Sequence, residues 1–108
     1  MADNSEIKLF LHSVKYADFI DFVPTEKNRQ TRFLIGMTTC DQEDMVRNLS
    51  TDDYYSGPET DRDPSRLGML WVFKHTYRGH ELYIKLKEVQ IVEGNSIVKC
   101  LSCHIDYI

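Results

Sequence analysis

Gly68-Met69-Leu70-Trp71-Val72-Phe73-Lys74-His75-Thr76, then Tyr77-Arg78-Gly79-His80, then Glu81-Leu82-Tyr83-Ile84-Lys85-Leu86-Lys87 decides the fold of this chain. The first and last runs are rich in β-branched and aromatic residues, and the four residues between them carry a hairpin signal. The spacing therefore predicts two strands, residues 68–76 and 82–89. In the second, Leu82, Ile84 and Leu86 point one way while Tyr83, Lys85 and Lys87 point the other. Gly94-Asn95 marks a further turn, and residues 96–105 read as a third strand. There Ile97, Lys99, Leu101 and Cys103 alternate with Val98, Cys100, Ser102 and His104. Both sets are largely apolar, which places this strand centrally in a sheet.

Upstream, Ile7, Phe10, Leu11 and Val14 follow helical spacing, so residues 5–18 are expected to form a helix capped by Ser5 or Asn4. Phe19-Ile20-Asp21-Phe22-Val23 is expected to be a short strand stopped by Pro24. Thr25-Glu26-Lys27-Asn28-Arg29-Gln30 reads as a polar loop offering three RNA contacts or a plain solvated surface, and residues 31–37 as a strand or a helix end. Thr39-Cys40-Asp41-Gln42 fits a capping box opening a short helix to about residue 49, with Met45, Val46 and Leu49 inward. Residues 50–66, rich in Asp, Ser, Gly and Tyr, read as a loop. The order is helix, strand, helix, then an antiparallel meander, hence an α+β fold in one domain, residues 1–108.

The apolar and charged fractions, 42% and 28%, suit a globular protein. No apolar run approaches the roughly 20 residues of a membrane-spanning helix, and Met1-Ala2-Asp3-Asn4-Ser5-Glu6 is not a signal-peptide start, so no membrane partner and a cytoplasmic location are expected. The formal charge of −4 argues against a general nucleic-acid binder. Yet residues 1–69 carry 8 Lys and Arg against 13 Asp and Glu, whereas residues 70–108 carry 5 against 4 and three of the four histidines. RNA contact would thus be local, through a few placed cations. Cys100-Leu101-Ser102-Cys103 is formally a C-x-x-C, but it lies in a strand rather than at a helix start. Buried, reduced thiols are expected there.

Metal-free RNA cleavage needs a base for the 2′-hydroxyl proton, a cation for the phosphorane, and an acid for the leaving 5′-oxygen. A histidine such as His104 can serve as base or acid because imidazole ordinarily titrates near neutrality. Lys85 can stabilise the phosphate charge, and Tyr83 can donate a hydrogen bond or stack on a base. As i and i+2 on one strand, Tyr83 and Lys85 share a face about 7 Å apart. His104 joins them only if its strand pairs with theirs in the right phase; otherwise it is a satisfied histidine at a sheet edge. Lys74, His75 and Arg78 are candidate phosphate contacts, although a charged hairpin tip explains them equally, and Trp71 is expected in the core. Asp61 and Asp63 lack a third ligand, so neither a metal site nor a cofactor is expected.

The block from Leu49 through Tyr54-Tyr55-Ser56-Gly57-Pro58, the Trp71-Val72-Phe73-Lys74 strand, the Tyr83-Ile84-Lys85 strand and the closing Ser102-Cys103-His104 together resemble the MqsR family of bacterial type II toxin–antitoxin toxins, within the RelE-like group. Asn28-Arg29-Gln30-Thr31 is similar as well, so the resemblance covers residues 25–107. It implies a RelE-like fold, N-terminal helices on a twisted antiparallel sheet. It implies a metal-independent endoribonuclease (an mRNA interferase) cleaving messenger RNA, ribosome-associated or free, and a cognate antitoxin protein. By position Tyr83 and His104 fall on active-site residues, Lys85 lies in the adjacent position, and Tyr55 borders the site. The chain departs from the best-known members at Ser56, where they carry Lys, at Val72, where they carry Gln, and at His104, where they end in a different basic residue. A non-catalytic protein-interaction module on the same fold is the rival reading.

Overall fold

The computed structural model describes residues 2–63, 65, 66 and 68–106. Helix α1 (Asn4–Lys15) starts one residue before the expected caps, because the Asp3 carboxylate accepts from Glu6 N at 2.9 Å. Its apolar stripe, Ile7, Phe10 and Val14, is buried. Strand β1 (Phe19–Phe22) follows as expected.

The polar segment expected as a loop is instead helix α2 (Glu26–Ile35), with Thr25 at its N-cap and Gly36 left-handed at its C-terminal end. Residues 31–35 are accordingly the end of that helix rather than a strand. The hydrophobic pattern hides α2, since its buried face is Asn28, Thr31 and Ile35, correctly spaced for a helix but mostly polar, while Phe33 and Leu34 face out. Helix α3 (Thr39–Arg47) is capped one residue earlier than expected, by a Thr38–Asp41 box. Gln42 is not free to cap, being 2% exposed inside the molecule. Met45, Val46 and Leu49 are buried as expected.

The stretch expected as a loop over residues 50–66 holds a one-turn 3-10 helix (Thr51–Asp53) and a strand, β2 (Tyr54–Thr60); its Pro64 lies outside the described residues. β2 escapes the pattern because it is an edge strand interrupted by two register shifts, around Tyr55 and around Gly57-Pro58. The remaining strands are β3 (Met69–Tyr77), β4 (His80–Lys87), β5 (Gln90–Val92) and β6 (Asn95–Ile105). Arg78 and Gly79, both at positive φ, make the tight β3–β4 turn.

The sheet runs β1-β6-β4-β3-β2, with β5 pairing β6. β6 is therefore central, as its apolar faces indicated, but the sheet is mixed: β1 lies parallel to β6, Phe19 opposite Ile97. A strand after α1 and three helices before the hairpin can return only through a long crossover, which permits parallel pairing. One face is covered by α1 and α3. Phe73, Leu82, Ile84, Leu86, Val98 and Cys100 are wholly buried there, each aliphatic or aromatic side chain contributing about 1.5–3 kcal/mol. Trp71, in the core as expected, stacks on Phe10 at 4.5 Å.

β1 accompanies β6 only as far as Cys100. Beyond that point α2 side chains close the strand's open edge. Asn28 Nδ2 donates to Leu101 O (3.3 Å) and Val23 O (2.9 Å), its Oδ1 accepts from Cys103 N (3.0 Å), and Thr31 Oγ1 accepts from Ile105 N (3.0 Å). On the opposite edge, Gly57 (φ +110°) passes so close to β3 that an added Cβ would stand 2.6 Å from Leu70 O. Gly57→Ala is expected to destabilise the fold by about 2–3 kcal/mol, read as a lower urea midpoint with unchanged slope.

Candidate active site on the open face of the sheet

Two bulges aim the candidate residues. In β4–β6, Leu86 pairs with Cys100 but Lys85 pairs with Ser102, so Leu101 is an extra residue. Val98, Cys100 and then Cys103 all face the core, whereas Ser102 and His104 turn to the open face. The simple alternation that grouped Cys100 with Ser102 and His104 is thereby corrected. In β2–β3, Tyr54 pairs with Phe73 and Ser56 with Val72, leaving Tyr55 extra.

The result brings Tyr83, Lys85 and His104 together. Tyr83 is directly opposite His104, their rings stacked at 5.4 Å and 19°, and Lys85 is opposite Ser102. His104 Nδ1 lies 3.0 Å from Ile105 O. A carbonyl only accepts, so Nδ1 carries the hydrogen, and Nε2 has no partner among the described residues and is the nitrogen left to accept a proton. Lys74, opposite Tyr83 on β3, places its Nζ 4.1 Å above the Tyr55 ring and 2.9 Å from Asp106 Oδ2. Five of the six candidate residues thus share one patch. Lys85 makes no ion pair among the described residues, which leaves its charge available.

Electrostatics assigns protons to two of them. Burial, then the carboxylates of Glu59 and Asp106, pushes the Tyr83 phenol above its ordinary pKa, so it is a donor at neutral pH. The Asp106 hydrogen bond raises Lys74 above 10.5 and keeps it cationic. A raised folded-state pKa means that the Lys74–Asp106 contribution to stability is complete below pH 10.5 and lost as pH climbs through the higher folded value. Melting temperatures from pH 8 to 12 are expected to fall more steeply above that point in the wild type than in Lys74→Met.

No protein-family model matches the chain, nor does any curated protein or solved structure.

Arg78 does not join the patch. It caps α2, its Nη1 donating to Ile35 O and Gly36 O, each at 3.1 Å. His75 points to the covered side, 2.9 Å from Asp53. Asp61, read as a loop acid, pairs with Lys87 at 3.5 Å, both side chains about one-tenth exposed, pinning the chain after β2 to the open face. Among the described residues no three His, Cys, Asp or Glu side chains gather as metal ligands, and no helix is long and apolar enough to cross a membrane. The thiols of Cys100 and Cys103 are free and buried, while Cys40 is exposed. Sequence reasoning missed Asp106 and the contribution of α2, whose Lys27, Gln30 and Leu34 border His104. The Glu26-to-Gln30 spacing, with Thr25 before it and Gly36 after it as helix-boundary residues, was the available signal for the latter, since i, i+4 polar pairs support a helix.

Proposed function

We propose that the chain is the toxin of a bacterial type II toxin–antitoxin pair, with a RelE-like fold, acting in the cytoplasm as a metal-independent endoribonuclease on messenger RNA. The observation that carries this reading is the pairing of Tyr83 with His104 beside Lys85, with Nε2 of His104 unpartnered among the described residues. His104 Nε2 takes the 2′-hydroxyl proton, and the 2′-oxygen attacks phosphorus. Lys85 and Lys74 stabilise the charge that builds on the non-bridging oxygens. The Tyr83 phenol, a far stronger acid than a ribose hydroxyl, protonates the departing 5′-oxygen. The products are a 2′,3′-cyclic phosphate and a 5′-hydroxyl. Tyr55, beside Lys74, offers a face on which a base can stack.

An antitoxin protein is the proposed partner, and messenger RNA, on the ribosome or free, the proposed substrate. Induced expression is expected to arrest growth and fragment transcripts. Wild-type protein that leaves growth and RNA untouched would overturn the enzymatic reading and favour the interaction module.

A further inference from the structure

We propose that the outer edge of β1 docks an extended, basic segment of a partner protein, which adds to the sheet as one more strand. The proposal goes beyond the nuclease reading and does not depend on it. Among the described strands β1 pairs only with β6. Along a parallel pair, the backbone groups of one residue turn to the neighbour and those of the next turn away. Val23 N donates to Cys100 O at 3.0 Å, which sets the phase. Phe19, Asp21 and Val23 therefore bond β6, while the N–H and C=O of Ile20 and Phe22 point outward with no partner among the described residues. The sheet's other edge differs. β2 is blunted by two register shifts and by Pro58, the devices that stop an edge from pairing. β1 has neither, and keeps register with β6 over all four of its residues.

The surroundings of the edge name the occupant. Ile20 and Phe22, the two residues with unpaired backbone groups, also line a hollow of about 330 Å³ against α3, where Glu43 and Asp44 form the other wall. Side chains of an added strand alternate between the two faces of the sheet, so every second one falls over this hollow. The hollow is apolar at β1 and acidic at α3. Glu43 is bridged by Arg47 at 3.4 Å, whereas the exposed Asp44 carboxylate makes no ion pair among the described residues. A Lys or Arg suits both walls, laying its methylenes along Ile20 and Phe22 and bringing its charge to the acidic side. The same carboxylates repel a phosphate backbone, so the edge fits a protein rather than RNA. On the open face Phe19, 56% exposed, is left to meet the alternate side chains of the added strand.

The probe is a short peptide alternating threonine and lysine with blocked ends, titrated into the full chain while amide shifts and hydrogen exchange are followed by NMR. Shifts and slowed exchange at the Ile20 and Phe22 amides are expected. Binding should be about tenfold tighter than for the same peptide with glutamate in place of lysine. N-methylation of alternate peptide residues is expected to abolish binding in one phase and spare it in the other, since only every second N–H faces β1. Asp44→Lys is expected to lower the lysine-over-glutamate preference roughly threefold or more while the urea midpoint holds. Equal binding of the two peptides, or of both methylated forms, overturns the proposal, as does silence at these amides up to about 1 mM peptide. Self-association that protects the same amides without peptide overturns it in favour of a second copy of the chain. An RNA oligonucleotide that protects them overturns it in favour of nucleic acid.

Discussion

His104→Ala is expected to lower RNA cleavage about 10²–10⁴-fold, the range typical of removing a general base. Among the described residues no other imidazole shares the patch: His75 faces the covered side of the sheet in contact with Asp53, His80 lies in phase with Leu82 on β4, and His12 belongs to α1. The ring lies on the patch and its one hydrogen bond among the described residues is to the neighbouring carbonyl, so its loss is expected to leave the fold intact. Circular dichroism and the urea midpoint of the variant should match those of the wild type, while cleavage of a defined RNA and toxicity on induction both collapse. Asymmetry between two substitutions sharpens the assignment. His104→Gln keeps a polar side chain but supplies no base, and it is expected to be as inactive as alanine. A loss smaller than threefold in His104→Ala removes this residue from the chemistry.

The second large effect concerns stability. Asn28 is 6% exposed and bonds three backbone groups, those of Val23, Leu101 and Cys103. Asn28→Ala strands all three where β1 no longer accompanies β6, and each orphaned buried group costs about 1–3 kcal/mol. With some of that recovered by entering water, a net loss of about 3 kcal/mol is expected. That is a large share of the roughly 5–15 kcal/mol holding a domain of this size. Chemical denaturation measures it directly, with the exposed Arg29→Ala as a control expected to stay within about 0.5 kcal/mol. Asn28→Asp retains the acceptor for Cys103 N but not the donors, and should fall between wild type and alanine or lower. A shift below 0.5 kcal/mol in Asn28→Ala would mean that the β6 edge is closed by something other than this amide. Activity is expected to drop with stability, since the bonds to Leu101 and Cys103 hold the bulge that orients His104.

The β3–β4 hairpin, the central position of β6 and the first helix were legible because each is written in apolar periodicity and turn chemistry. Leu82, Ile84 and Leu86 bury as the alternation predicts, and Tyr83 and Lys85 emerge on the opposite face. Helix α2 was not legible, because the surface it buries is hydrogen-bonding rather than apolar: Asn28 and Thr31 serve as substitutes for a neighbouring strand. β2 was hidden by its own irregularity. An edge strand with a bulge at Tyr55 and a glycine pressed against β3 has no alternation to read. The candidate site shows the same division. Its residue types were readable, and so was the shared face of Tyr83 and Lys85. The phase of His104 depended on Leu101, and the ion pair of Lys74 with Asp106 depended on where β6 ends.

The extra residue at Leu101 has a genetic consequence. Counting along β6 as if that residue were absent gives the facing of the side chains around it: Cys100 inward, Ser102 outward, Cys103 inward and His104 outward. Loss of that single codon would therefore restore plain alternation and leave the imidazole on the open face, at the cost of the Leu101 carbonyl that Asn28 engages. Lineages of this protein should accordingly tolerate both exchange and deletion of Leu101 with the facing of the site intact, the deletion registering as lost stability rather than as a misplaced imidazole.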